Sequence, residues 1–240
     1  MRPQLYMFHR IREHILERHN FYVEQVQRRI LSQFPDIESE AEEYANNEYQ
    51  RLASAPARED VDLSDIAEYA HDRATEHYEL LSDLKKQTLL GAIAGVYHQW
   101  DKELRDFVER ELTHDVQDPE KHAWHDNMFE LLTHFGWDVR SRPFFPKIDA
   151  CRLVVNVYKH GNGPSLTQLG QRYPKYLRDP FAKPDEEASL RDDFLHHEWL
   201  EVSATDLNDF AAGFRSFWEE FPERLFLDPT RLVASGRDQP

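Results

Sequence analysis
An all-α helical bundle with at most one short β-strand, near residues 199–202, is the fold class this sequence predicts. Three observations predict it. Apolar residues recur at helical spacing through most of the chain. Only 8 of the 240 residues are glycine, too few for a turn-rich β-sandwich or for Gly-rich phosphate loops. The single cysteine, Cys151, excludes a disulfide framework and a thiolate-rich zinc site. The length allows one domain with an appended piece, and it can bury a core without covalent staples. Aromatic residues at 12% argue against disorder.

Pro3 fits a first helical position. From there Leu5, Phe8, Ile11, Ile15, Tyr22, Val26 and Ile30 hold helical spacing until Phe34-Pro35, where proline stops the helix. A second, acidic helix follows, with Ile37, Ala41, Tyr44 and Leu52 on one face. Residues 54–63 contain Pro56 and charge and read as a loop, and Ser64 is the expected N-cap of the next helix. Ile66, Ala70, Ala74, Tyr78, Leu81 and Leu84 mark one helix; Leu89, Ile93, Val96, Trp100, Leu104, Phe107 and Leu112 mark the next. Spacing leaves open whether these are one long helix or a hairpin near Ser82-Asp83.

Asp118-Pro119-Glu120 supplies a cap, a proline at the first helical position and an acid in the first turn. Trp124, Met128, Leu131 and Phe135 then step helically until Gly136. Two prolines place 136–146 in a loop. The helix over 147–160 ends at Gly161-Asn162-Gly163-Pro164. Ser165 with Gln168 reads as a capping box for a short helix to about Gln171. The proline-containing stretch 173–189 reads as a polar loop, and Trp199 to Val202 alternates like a strand. Ser203-Ala204-Thr205-Asp206 caps a last helix carrying Leu207, Phe210, Phe214, Phe217, Trp218 and Phe221, and Pro222 closes it. These elements group as an N-terminal helical extension over 1–62, a bundle over 63–222 and a loose tail over 223–240.

The net charge of −16 is unevenly spread. From Asp36 to Asp83 there are fifteen acidic residues and three basic ones. From Val139 to Arg178 there are eight basic residues and one acid, Asp149. A basic island of this kind can bind phosphates inside an acidic protein, because salt screens distant charges within about 8–10 Å. The longest apolar stretch falls well short of the roughly 18 residues of a membrane span, and no secretory signal opens the chain. The expectation is a cytoplasmic protein with no membrane partner.

The helix over 147–160 lies inside that island and differs from its neighbours. At 100° per residue, Arg152, Lys159, Asn156, Asp149 and His160 fall within about 100° of arc. Most remaining positions are apolar: Ile148, Cys151, Leu153, Val154, Val155 and Val157. A surface helix would offer a wider polar face, so this one reads as buried, with one polar stripe open to a cleft or a partner. Its valines have poor helix propensity, which leaves burial to hold it. The stripe has the residue types of phosphate chemistry. Arg152 can grip a phosphate bidentately, and His160 can act as acid or base near neutral pH. Asn156 and Asp149 can orient them, while Lys159, Arg140, Arg142 and Lys147 add positive potential for a substrate. The plainer reading of the same spacing is an i,i+3 ion pair of Asp149 with Arg152, with Asn156 and His160 satisfying nearby loops.

The run from Cys151 through Arg152, Asn156, Lys159 and His160 to Gly161 resembles the signature helix of the HEPN superfamily. The resemblance implies an all-α domain, a homodimer, and a composite site in which Arg152 and His160 act as the family's arginine and histidine. It further implies metal-independent endoribonuclease activity on RNA, of the kind found in toxin–antitoxin and phage-defence systems. Asn156 joins Arg152 and His160 as the catalytic candidates; no cofactor and no metal ligand is expected. The chain departs from the family pattern. Seven residues separate Arg152 from His160, more than the family usually has, and the apolar Leu153 follows Arg152 where the family has a polar residue. Eight positions amount to about 12 Å along a helix, a long reach to one phosphate within a single chain. A two-fold dimer would shorten it.

Other patterns carry less. Glu68-x-x-His71 copies one ligand pair of a di-iron bundle without the second pair, and His122, His125 and Asp126 are one turn apart. Surface histidines explain both. Gly91-Ala92-Ile93-Ala94-Gly95 permits close helix packing, and the aromatic residues of the last helix read as core. The acidic stretch is most simply a solvated face. It also supports the alternative function, a non-catalytic antitoxin, immunity or scaffold subunit that docks a basic protein partner.

Overall fold
The chain is described by a computed structural model covering residues 4–54, 62–112, 128–179 and 195–227. It is all-α with one small sheet. The elements are β1 (Gln4–Tyr6), α1 (His9–Arg29), α2 (Ile37–Ala53), α3 (Leu63–Leu112), α4 (Met128–His134), α5 (Phe145–His160), α6 (Pro164–Arg172), α7 (Ala204–Glu220) and β2 (Arg224–Phe226). Among the described residues no helix is long and apolar enough to cross a membrane. Two compact units form, 1–24 with 92–240, and 25–91, so the divisions fall inside α1 and α3.

In the 25–91 unit, Asp36 caps α2 by accepting from the Ser39 N–H at 3.0 Å. Asp62, rather than Ser64, caps α3, accepting from the Ser64 N–H at 3.1 Å. Buried Ala41, Ala70 and Ala74 line the contact side, and Tyr44 stacks on His77 at 4.4 Å. No hairpin breaks α3 near Ser82-Asp83. Residues 63–90 contain neither glycine nor proline, so nothing interrupts the backbone ladder.

The other unit holds the main core. Trp100 of α3 stacks on Phe214 of α7 at 4.9 Å, and Trp137 meets Phe221 edge-on at 4.8 Å. Phe210, Phe217 and Trp218 are also buried, as the apolar pattern of the last helix implies. Glycine sets close approaches on α3 and α7. A Cβ on Gly95 of α3 would stand 2.6 Å from the Tyr22 hydroxyl, and one on Gly213 of α7 would stand 2.9 Å from Lys147 Cβ. α4 ends in a Schellman turn, in which Gly136 takes φ +91° and Trp137 N–H reaches the Leu132 carbonyl at 2.9 Å.

Several local expectations change. Residues 4–6 are strand and not helix: Leu5 pairs with Leu225 in an antiparallel ladder and both are buried, while α1 begins at His9. Phe8 and Ile30 are exposed, and His19 takes an inward position between Ile15 and Val26. No strand forms over 199–202. His197–Trp199 is a 3-10 turn, and only Leu200 bridges to Leu177, because the facing segment Pro174–Tyr176 is itself a 3-10 turn. α5 starts at Phe145 since Pro146 suits a first turn. α6 starts at Pro164 with Gly163 as its N-cap, which leaves Ser165 inside the helix. The capping box at Ser203 and Asp206 is present. The expected cap at Asp118 lies outside the described residues.

Candidate functional site
α5 is buried along most of its length, with Ile148, Asp149, Ala150, Cys151, Leu153, Val154, Val155 and Val157 inside. It packs against α6 and α7. Gly161, at φ +69°, ends it and turns the chain into α6. Burial pushes the Cys151 thiol up, away from the thiolate form that a nucleophile needs.

The centre of the site is Asp149, only 4% exposed. Its Oδ1 accepts from Arg152 Nη2 at 2.7 Å and from Nε at 3.2 Å. Its Oδ2 accepts from Arg172 Nη1 at 3.1 Å and from the Tyr173 hydroxyl at 3.1 Å. A carboxylate taken out of water needs such partners, and here four donors supply them. Burial, and then the neighbouring Asp149 charge, pushes the Tyr173 phenol up to about 12. Tyr97 is pushed up further, first by burial and next by the charge of Asp101.

This cluster opens on a cavity of about 490 Å³ in the 92–240 unit. Its walls include Asp149, Arg152, Arg172, Arg140, Trp100 and Phe129. Arg105 and Asp101 of α3 also line it and are ion-paired at 2.8 Å. The wall is therefore rich in guanidinium groups, each already oriented by a carboxylate or a neighbour.

The structure thus joins Asp149, Arg152 and Arg140 on one cavity and leaves the other candidates elsewhere. Lys147 pairs with Asp209 at 3.0 Å, and Arg142 lies 3.5 Å from Glu220. Asn156 is half-buried, Lys159 and His160 are exposed, and none of the three lines the cavity. The i,i+3 pair of Asp149 with Arg152 forms.

Compared with protein-family models, curated proteins and solved structures, the chain matches none.

Arg172, Tyr173, Arg105 and Asp101 were not singled out from the sequence. The first two lie in the basic island, but nothing in spacing ties them to Asp149, more than twenty positions earlier. Asp101 and Arg105 show only an i,i+4 pairing that occurs on many helices. Among the described residues no group of three or more His, Cys, Asp or Glu side chains is placed to hold a metal ion. Glu68 and His71 are exposed on α3, and His122, His125 and Asp126 lie outside the described residues.

Proposed function
We propose that the chain is a HEPN-like, RNA-directed protein that acts as a metal-independent endoribonuclease in a bacterial stress or defence system. One observation supports this most: Arg152 is preset by a buried carboxylate at the wall of an arginine-lined cavity. A guanidinium has five N–H groups, and Asp149 engages two of those on Arg152, which leaves donors for a phosphate. In this reading the 2′-hydroxyl of RNA attacks the adjacent phosphorus, and Arg152 stabilises the pentacovalent phosphate. His160 takes the 2′-hydroxyl proton or delivers one to the leaving 5′-oxygen. The two side chains lie about 12 Å apart along α5, so the reading includes a two-fold dimer in which Arg152 of one protomer works with His160 of the partner subunit.

The test is RNA cleavage in EDTA. Wild type is expected to cleave, while Arg152→Ala and His160→Ala fold but do not. Mixing the two variants should restore part of the activity, because a mixed dimer contains one complete site. Equal cleavage by all three proteins would overturn the proposal.

A second reading, the non-catalytic interaction subunit, has its own support. Leu63, Tyr69, Leu80 and Leu84 are exposed on the acidic half of α3, where a partner protein would cover them. It expects capture of a basic protein and no affinity for RNA. RNA binding that weakens steeply with salt would decide against it.

A further inference from the structure
The cavity beside α5 offers more than a single arginine. Among the described residues four guanidinium groups line it, from Arg105, Arg140, Arg152 and Arg172, together with the carboxylates of Asp101 and Asp149. One end also has an aromatic wall, where Phe129 meets Phe145 edge-to-face at 5.5 Å and lies 6.1 Å from Trp100. The Trp100 indole N–H is buried and has no acceptor among the described residues.

We propose that this cavity binds a small phosphomonoester with a planar aromatic body, its phosphate on Arg152 and Arg172 and its ring against Phe129 and Phe145. The donors match. Arg152 and Arg172 pair with opposite oxygens of one carboxylate, and both line the cavity around it. Their remaining N–H groups suit the several oxygens of one phosphate. The ring finds edge and face contacts of the kind that aromatic pairs favour. The volume of about 490 Å³ lies within the range of roughly 300–1,000 Å³ typical of small-molecule sites. Arg152 is shared with the RNA reading, but this proposal stands on the cavity and not on cleavage.

Calorimetric titration at low salt tests it, with phenyl phosphate, inorganic phosphate and phenol as probes. Phenyl phosphate is expected to bind one per chain, about ten-fold or more tighter than inorganic phosphate, with phenol not binding. Arg172→Gln should weaken phenyl phosphate by about ten-fold or more. Phe129→Leu should erase its advantage over inorganic phosphate. Arg152→Gln is the second charge variant should Arg172→Gln fail to fold. The proposal is overturned if neither anion binds wild type, if the two anions bind equally, or if folded charge variants bind like wild type. No RNA is present, so a failed titration leaves the RNA reading standing, and failed cleavage leaves the cavity proposal standing.

Discussion

The two ends of the polar stripe on α5 contrast sharply, although both share a face and similar residue types. At the first end Asp149 is buried and holds Arg152, Arg172 and Tyr173 on its two oxygens. At the other end Lys159 and His160 are exposed, and among the described residues no buried carboxylate stands with them. The difference comes from what faces each end. Arg172 closes α6 and Tyr173 follows it, and both reach back over Asp149. Burial then makes pairing obligatory, whereas water satisfies polar groups at the exposed end without order. A stripe of the same chemistry can thus be a fixed network along one half and a free surface along the other.

The largest expected effect separates the two ends by stability. Asp149→Ala strands two guanidiniums and a phenol. The cost is expected at about 2 kcal/mol, below the roughly 3–5 kcal/mol of a fully buried pair because both arginines reach solvent. His160→Ala should leave stability unchanged. Urea unfolding measures both, and equal midpoints for the two variants would erase the contrast.

A buried polar group with a single partner sharpens it. His19 is 6% exposed, and its Nε2 lies 2.9 Å from the Ala211 carbonyl. A carbonyl only accepts, so Nε2 bears the hydrogen and the neutral ring already satisfies the contact. Burial lowers the pKa of His19 from 6.5, opposed by the Ala211 bond and aided by the Arg215 charge. Above pH 6.5 neither the folded nor the unfolded chain holds this proton. As pH falls through 6.5 the unfolded chain binds it first, so stability falls until the lower folded-state pKa is passed. His19→Gln keeps an N–H for Ala211 and should lose less melting temperature than wild type on acidification. Parallel profiles would show that His19 does not carry the effect.

The smallest effect is at alkaline pH. The Tyr173 phenol is raised from 10.0 to about 12, so the unfolded chain ionises first as pH climbs through 10, and this contribution declines until about 12. Tyr173→Phe should therefore lose less stability than wild type over that interval. Thermal melts at stepped alkaline pH measure the difference, and a variant that loses as much as wild type would detach Tyr173 from Asp149.

Much of the fold was legible because helices repeat their signal. The inward positions of α7 and of α3 from Leu89 to Leu112, and the cap at Ser203 and Asp206, follow from spacing and local side-chain chemistry, whereas Tyr78 and Leu84, expected on the inner face of α3, are exposed. The buried character of α5 was legible too, from the narrowness of its polar face. The strands were not. Three residues give a single inward position each, Leu5 and Leu225, and their pairing joins opposite ends of the sequence. In the site, Asp149 and Arg152 were legible as an i,i+3 pair. Arg172 and Tyr173 were not, because the contact depends on how α6 folds back after Gly161, and that turn is a tertiary event. Polarity alone also said nothing about which half of the stripe would lie in the cavity wall.

The small ladder of β1 and β2 has a topological consequence. Gln4 stands opposite Phe226, so two strands more than 200 positions apart in sequence meet in one ladder that only the folded unit can form. Donor and acceptor dyes placed at the two strands would report the integrity of this unit by their proximity, independently of anything bound in the cavity.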